Sequence, residues 1–530
     1  MLFTSYEFLG FLFVLFLLYY SIPKKYQWIC LLFASYLFYA CSGVKYLLYI
    51  MITTGSTYLI CRRMEEIQEE QEYYIRINKQ RMTREERKAY KAAMKKRQRK
   101  WLLFGLIFNF SILAVCKYAN FAISNINSIL RLIKSHSSLP FLSIALPLGI
   151  SYYTFQMMGY TIDIYRGKYP AERHLGKLAL FASFFPQLLQ GPISRFDDLS
   201  KTMFLEHSFD RKRVSFGLQR ILWGFFKKLV IADRILPAVT TIIRDPQTYQ
   251  GCYVFVGMLF YALELYADFT GGIDMVIGIA EVLGIRVKEN FERPYFSKSI
   301  KEYWNRWHIS LGAWFTDYIF YPVSVSQPML KLSKFSRSHF GEAIGKRIPV
   351  YLSTILVWLV TGIWHGAAWN FVVWGLMNCL VLLISQELQP CYRWFHRIFH
   401  LEGNWGFRLF QVVRTVLLMS SIRMFDCYRD VPTTFRMFFN MLTHYNAGEL
   451  VNGGLLKLGI SAADYGILLI GTGLLLGVSL AGRKGSVREK IAQKPAAVRF
   501  LIWYGLFLSV LVFGAYGEGY DASQFIYNQF

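Results

Sequence analysis

The 530-residue sequence lacks the short motifs that mark many enzyme active sites. It contains no P-loop, no Gly-x-Ser-x-Gly, no His-Glu-x-x-His and no dinucleotide-binding glycine pattern in a suitable context, so it indicates no protein-derived nucleophile. The eight cysteines include no Cys-x-x-Cys pair and lie mostly in apolar stretches. We therefore expect free thiols, with no disulfide framework, no metal and no tightly bound cofactor.

The chain also lacks internal repeats of the kind found in transporters and any proline- or glycine-rich linker between domains. One integral domain over 1–530 is the simplest interpretation. Within it we expect N-terminal spans over 1–61, a basic loop over 62–100, a core over 140–386 and C-terminal spans over 400–530.

Apolar residues are abundant instead, at 54% of the chain with 18% aromatic residues and a mean hydropathy of +0.30. Runs such as 8–22 and 468–482 approach the length of about 20 apolar residues that a membrane span needs. The first run has no basic segment before it and no small-residue cleavage site, so it is not a signal peptide. The pattern predicts an all-α polytopic membrane protein with about 11–13 spans and further re-entrant or interfacial helices. The candidate spans are 5–22, 27–41, 45–61, 101–118, 140–163, 176–190, 214–234, 251–268, 271–285, 349–368, 370–386, 407–424, 462–481 and 498–516.

The net charge of +25 is concentrated in loops. Residues 62–100 carry 14 Lys/Arg and 7 acidic residues, which is typical of a cytoplasmic loop under the positive-inside rule. The interleaved signs favour a solvated helical hairpin near anionic lipid headgroups over a nucleic-acid interface. Three spans before this loop place the N-terminus outside the cytoplasm. We expect the membrane to be the plasma or inner membrane of the cell.

The middle of the chain holds polar and helix-breaking residues within apolar context, as in "YADFTGGIDM" (266–275). Irregular backbone at membrane depth survives only where it is buried in protein or lines a wet cavity. We therefore expect the core to surround a cavity. Asp268 and Asp274 are either an acid/base pair or structural hydrogen-bond acceptors beside a helix break at Gly271–Gly272, and the structural interpretation is favoured.

His365 lies in "VTGIWHGAAWN", where helical spacing places Trp358, Thr361 and Trp369 on its face. Gly362 and Gly366 form a small-residue pair that allows close approach of a neighbouring helix. An ionisable residue in a membrane span is a candidate functional residue. A neutral structural imidazole is an equally open alternative.

His308 lies in "YWNRWHISLGAWF" (303–315), one helical turn after Trp304 and three residues after Asn305. We interpret this segment as an amphipathic or tilted helix at the cavity floor or the membrane edge. For His308 taken alone, a structural role is favoured. A buried imidazole beside polar residues nevertheless suits general-base catalysis, in which it removes a proton from an acceptor hydroxyl that attacks an acyl carbonyl.

These motifs resemble the membrane-bound O-acyltransferase family. The resemblance covers most of the chain and rests on "YWNRWHISLGAWFTDYIFYP", "VTGIWHGAAWNFVVWGL", "PLGISYYTFQMMGYTIDIYRG" and "FFPQLLQGPISR". Within the family, the chain is most similar to the bacterial branch that acetylates alginate. The resemblance implies a helical bundle around a through-membrane tunnel, with the family's catalytic histidine at His365 and its second motif position at His308.

The resemblance further implies a cytoplasmic acyl thioester donor, acetyl-CoA, and an exported cell-envelope polysaccharide as acceptor. An extracytoplasmic partner with an esterase fold is implied as well. We expect substrate contacts from these residues: Asn305, Trp304, Trp307, Asp317, Trp364 and Asn370. Two alternatives stay open, namely D-alanyl transfer to teichoic acid from a thioester-charged carrier protein, and a non-enzymatic transporter or flippase that relays protons.

Overall fold

The computed structural model describes residues 3–134, 137–401 and 403–516, and the described chain is helical with no β-strand. Its one isolated bridge joins Phe291 and Trp307. The all-α prediction is therefore confirmed. Seven of the described helical segments are long and apolar enough to cross a membrane, so the protein is multi-pass. These segments are Val44–Ile77, Arg84–Leu132, Cys252–Val282, Gln327–His365, Trp369–Glu387, Ala462–Lys484 and Ala496–Phe513.

The described chain divides into two compact units, and the first comprises Ser5–Asp210 and Leu283–Val287. Its helices are α1 (Tyr6–Ser21), α2 (Gln27–Ala40), α3 (Leu47–Ile77), α4 (Arg84–Leu132), α5 (Ile150–Arg166), α6 (Leu175–Ser183), α7 (Phe185–Gln190) and α8 (Phe196–Met203). The expected hairpin over 62–100 is formed by the ends of α3 and α4. Thr83 and Glu86 cap the start of α4 reciprocally, and Arg97 on α4 pairs with Glu70 on α3 at 2.9 Å.

The second unit comprises residues 3–4, Arg211–Val282 and the described residues from Lys288 onward. Its helices are α9 (Arg211–Phe225), α10 (Asp233–Arg244), α11 (Cys252–Val282), α12 (Ile300–Arg306), α13 (Ile309–Phe315), α14 (Tyr321–Ser324), α15 (Gln327–His365), α16 (Trp369–Glu387), α17 (Gln389–Phe399), α18 (Trp405–Tyr428), α19 (Val431–Thr443), α20 (Ala447–Val451), α21 (Ala462–Ala481), α22 (Val487–Ala492) and α23 (Ala496–Phe513). Two π-helical turns, Phe226–Ala232 and Thr316–Phe320, follow α9 and α13. α15 is kinked at Gly341, whose φ of 83° favours glycine.

The prediction of a helix break at Gly271–Gly272 is wrong, because α11 runs through both glycines without interruption. The predicted spans 251–268 and 271–285 are consequently one helix. Glycine serves here to bring α9 and α11 together: a Cβ on Gly271 would lie 2.9 Å from the Gly224 carbonyl oxygen, and one on Gly278 would lie 2.7 Å from that of Gly217. The total number of membrane crossings stays a prediction.

The two aspartates of α11 form buried ion pairs with lysines of the π-helical turn after α9. Lys228 contacts Asp268 at 2.6 Å and Asp233 at 2.7 Å, while Lys227 contacts Asp274 at 2.6 Å. Buried charges are tolerated when they are paired in this way. The geometry agrees with the structural interpretation of both aspartates, whose partners include these lysines and, for Asp274, the Arg220 guanidinium, which donates to it at 2.9 Å.

α15 and α16 form a tight helical hairpin that positions His365. A Cβ on Gly362 would lie 2.4 Å from the Phe371 carbonyl oxygen, and one on Gly375 would lie 2.4 Å from that of Trp358. A Cβ on Gly366 would lie 2.2 Å from the Phe371 ring. The close approach expected from Gly362 and Gly366 is therefore present, and α16 is the neighbouring helix.

Candidate active site

A cavity of about 490 Å³ lies beside His365, within the second unit. One wall is formed by α12, α13 and the turn that follows, and the other by the last turns of α15. Six of the eight predicted site residues line this cavity: Trp304, Asn305, Trp307, His308, Asp317 and His365. The structure therefore brings these six residues together at one cavity, while their individual roles stay predictions.

His365 is the last residue of α15, where its ring is half-buried among tryptophans. The ring centroid lies 4.5 Å from that of Trp374 on α16 and 5.1 Å from that of Trp364. Trp358 and Thr361 line the same cavity, as the helical spacing predicts. The prediction that Trp369 shares this face is wrong, because the helix ends before Trp369, whose side chain is mostly exposed.

His308 connects two short helices and does not lie within one. α12 ends at Arg306, and His308 adopts a left-handed conformation with φ 49° before α13 begins. The predicted amphipathic helix through His308 is therefore broken at this point. Its carbonyl accepts hydrogen bonds from the N–H groups of Leu311 and Gly312 at 3.1 and 3.2 Å. A non-glycine residue in this conformation is strained, and such strain is frequent at functional sites.

The Asn290 side chain contacts the His308 ring at Nδ1. The side-chain Nδ2 and Oδ1 of Asn290 lie 3.2 and 3.3 Å from His308 Nδ1, and Asn290 is fully buried. Asn290 Oδ1 also accepts from the N–H and hydroxyl groups of Ser310 at 3.0 and 2.9 Å. Burial, together with the positive charge of Arg423, lowers the pKa of His308 to about 3. The ring is consequently neutral over the pH range in which cells live.

A buried cation lies behind the tryptophans of the site. The Arg423 guanidinium on α18 lies 4.8 to 5.6 Å from the ring centroids of Trp304, Trp307 and Trp374. Its Nη1 donates to the Asp426 carboxylate at 3.0 Å. Cation–π contacts of this kind are strongest when water is excluded. Arg423 therefore fixes the aromatic layer against which His365 packs.

Trp364 and Asn370 lie outside the lining of the cavity. The Trp364 ring contacts both histidines, at 6.0 Å from His308 and 5.1 Å from His365. Asn370 is buried, and its Nδ2 donates to the Phe425 carbonyl oxygen at 3.1 Å, which ties α16 to α18. Both residues support the site in this structure, and their predicted contact with substrate stays a prediction.

Three residues at the site were not predicted as such. Asn290 stands in the irregular stretch before α12, within "RVKENFERPY" (286–295), where an amide in otherwise charged sequence gives only a weak signal. Arg423 and Asp426 stand three residues apart in "SSIRMFDCY" (420–428), at the end of an apolar helix. An oppositely charged pair at helical spacing in such a helix is a signal that could have found them.

Known proteins resemble this chain over the same region. The sequence profile of the membrane-bound O-acyltransferase family matches residues 173–423. The chain is 34% identical to the probable alginate O-acetylase AlgI of Azotobacter vinelandii over 394 residues, which are 73% of this chain and 69% of that protein. It is 30% identical to the peptidoglycan O-acetyltransferase of Helicobacter pylori over 69% of this chain and 66% of that protein.

Similarity to the teichoic acid D-alanyltransferase of Bacillus subtilis is more limited, at 30% identity over 47% of this chain and 60% of that protein. All these relatives are named for acyl transfer, which argues against the transporter alternative. The matched region of this chain includes His308, His365 and Arg423. The chain belongs to the membrane-bound O-acyltransferase family and is a membrane O-acyltransferase.

Proposed function

We propose that this enzyme moves acetyl groups from acetyl-CoA, bound from the cytoplasmic side of the plasma membrane, toward hydroxyls of an exported cell-envelope polysaccharide. One observation carries the proposal: His365 and His308 border a single cavity together with the polar side chains of Asn305 and Asp317. A base, a second imidazole and space for reactants are the components that acyl transfer to a hydroxyl requires.

His365 acts as the general base in this mechanism. One of its ring nitrogens takes the proton of the acceptor hydroxyl while the hydroxyl oxygen forms an ester bond to the acetyl carbon. The thioester C–S bond then breaks, and the departing thiolate takes the proton back from the imidazolium, which releases a free thiol. The packing of His365 against Trp374 restricts the ring to one orientation during both proton transfers.

His308 acts as a hydrogen-bond donor to the thioester oxygen. Asn290 Oδ1 already accepts from two donors of Ser310, so we assign Nδ2 as the group that donates to His308 Nδ1 at 3.2 Å. A ring that accepts at Nδ1 carries its proton at Nε2. This N–H would stabilise the negative charge that develops on the carbonyl oxygen in the transition state.

The activities for which the relatives are named support the acetyl group and a polymeric acceptor. Two of them are an alginate O-acetylase and a peptidoglycan O-acetyltransferase. D-Alanyl transfer to teichoic acid is the second candidate, and the B. subtilis relative favours it over a shorter match. An extracytoplasmic esterase-like protein would receive the acetyl group before the polysaccharide does.

The test measures how fast the purified full-length chain transfers acetyl groups from acetyl-CoA. We expect His365→Ala to reduce turnover by about 10²- to 10⁴-fold, the usual contribution of a general base, with an unchanged unfolding midpoint. His339→Ala is the matched control, because His339 is an exposed histidine in the part of α15 that precedes the Gly341 kink. Full activity of His365→Ala would overturn the assignment of the base.

The acceptor is tested separately in cells. Surface glycans of a deletion strain should lose an acetyl ester that mass spectrometry detects in the parent strain. Loss of a D-alanyl ester with the acetyl esters intact would replace the first candidate with the second.

A further inference from the structure

A second, strongly basic pocket of about 850 Å³ lies between α17 and the first turns of α18, apart from the candidate active site. Four cations line it: Lys298, Arg393, Arg397 and Arg408. His396 and His400 stand among them. No carboxylate lines the pocket among the described residues, which do not include Glu402, and none of the four cations has an ion-pair partner in that set.

Such a concentration of like charge favours an anionic occupant. Arg393 and Arg397 are four residues apart, so they project from the same face of α17. The Arg414 guanidinium donates to the Lys298 carbonyl oxygen at 2.9 Å, which holds the Lys298 segment against α18. Guanidinium groups recognise phosphate oxygens through paired hydrogen bonds. A phosphate group therefore matches the chemistry of this pocket.

The surroundings of the pocket indicate where that phosphate comes from. The other face of α17 presents Trp394, Phe399 and Ile398 to the outside, with Trp394 64% exposed. Trp405, at the start of α18, is 77% exposed. A short helix with aromatic residues on one face and arginines on the other is typical of the bilayer interface. Lipid headgroups occupy that depth.

We propose that this basic pocket binds the phosphate of an anionic phospholipid, whose acyl chains contact the aromatic face of α17. The proposal concerns a lipid site and does not depend on the donor or acceptor of the acyl transfer. The phosphates of a soluble nucleotide thioester share the same chemistry, so the experiment separates the two sources.

The experiment measures lipid binding to the full-length chain in a non-ionic detergent by native mass spectrometry. The probes are phosphatidylglycerol and phosphatidylcholine with identical acyl chains, and coenzyme A. The test variant is Arg393→Gln/Arg397→Gln/Arg408→Gln. The matched control is Arg483→Gln/Lys484→Gln/Lys494→Gln, which removes the same charge from exposed positions in the connection between α21 and α23.

We expect the unaltered chain to prefer phosphatidylglycerol. Because each basic side chain near a headgroup contributes about fivefold in affinity, the Kd for phosphatidylglycerol should rise at least about tenfold in the test variant. The control variant should bind as the unaltered chain does. Lys298→Gln alone, a single exposed change, should raise that Kd about fivefold and serves if the triple variant folds poorly.

Two results would overturn the proposal. The first is that the test variant and Lys298→Gln bind phosphatidylglycerol as tightly as the unaltered chain. The second is that they lose affinity for coenzyme A while lipid binding stays unchanged, which would assign the pocket to a soluble phosphate ester.

Discussion

The Arg423 guanidinium carbon lies 4.8 Å from the centroid of the Trp307 ring, at the back of the aromatic layer of the candidate active site. Trp307 lines the cavity on its other side, and Asp426 accepts a hydrogen bond from Arg423 at 3.0 Å. A buried ion pair of this kind contributes little net stability compared with apolar residues of the same shape. Its contribution here is positional, because one cation contacts three rings that shape the site.

The first prediction concerns the charge balance of this pair. Arg423→Met leaves the Asp426 carboxylate buried without its partner, so we expect the free energy of unfolding to fall by about 3–5 kcal/mol. The double variant Arg423→Met/Asp426→Leu removes both charges and should recover most of that loss. Thermal or denaturant unfolding in detergent measures both values.

Acyl transfer provides the second readout for the same variants. It should remain low in the double variant, since the three tryptophan rings lose the cation that orients them. Recovery of full activity together with stability would contradict a positioning role for Arg423.

The second prediction concerns the pH dependence of stability at His308. The unfolded ring binds a proton near its ordinary pKa of about 6.5, whereas burial first, and then the Arg423 charge, lowers the pKa of the folded ring to about 3. Between these values the unfolded state binds more protons, so the free energy of unfolding falls as the pH drops, by up to about 1.4 kcal/mol per pH unit.

His308→Asn removes this contribution and keeps a polar group beside Asn290. From about pH 7 to about pH 5, the unaltered chain should therefore lose about 2 kcal/mol more stability than the variant. His339→Asn, at an exposed position, is the control and should follow the unaltered chain. Parallel curves for His308→Asn and the unaltered chain would show that the folded ring titrates normally.

The third prediction concerns the contact between α15 and α16. In Gly362→Ala the new Cβ would lie 2.4 Å from the Phe371 carbonyl oxygen, so the helices must separate. We expect a loss of about 1–3 kcal/mol in the free energy of unfolding, as for other overpacked contacts, and a lower turnover because His365 is displaced. Gly473→Ala is the matched control on α21, where no atom lies within 4 Å of the new Cβ.

Helix propensity predicts that Gly473→Ala raises stability by up to about 1 kcal/mol. Equal effects of the two substitutions would mean that the α15–α16 contact is not tight. The comparison isolates that contact, because both variants add one methyl group to a glycine in a helix.

The hydropathy of the chain was sufficient to predict an all-α membrane protein. Its motifs and the family they resemble named six residues that line one cavity, and the roles of these residues stay predictions. Residues such as Thr361 and His365 were placed correctly because helical periodicity determines which side chains share a face. The same rule failed at Trp369 and at His308, where the backbone leaves the helix. Such breaks depend on tertiary contacts, as between Asn290 and the residues that follow His308, and local sequence carries little information about them.

The glycines of α11 show the opposite error, in which local sequence predicts a helix break that the folded chain does not have. A Gly-Gly pair has low helix propensity, which favours a break. In the folded chain that local cost is outweighed by the close packing of α9 against Gly271 and Gly278. Likewise, Asn290 and Arg423 became recognisable only after the fold had brought them to His308 and the tryptophans, from 18 residues away in the case of Asn290.

The two walls of the cavity differ in how freely they can change. The His365 wall is part of a hairpin whose backbones touch, so the ring and its tryptophan support can shift only as one rigid piece. The opposite wall consists of two-turn helices and a π-helical turn, from which Asn305, Thr316 and Asp317 line the cavity. Remodelling this enzyme for a different acceptor should therefore begin with these three positions, leaving untouched the wall that carries the proposed base.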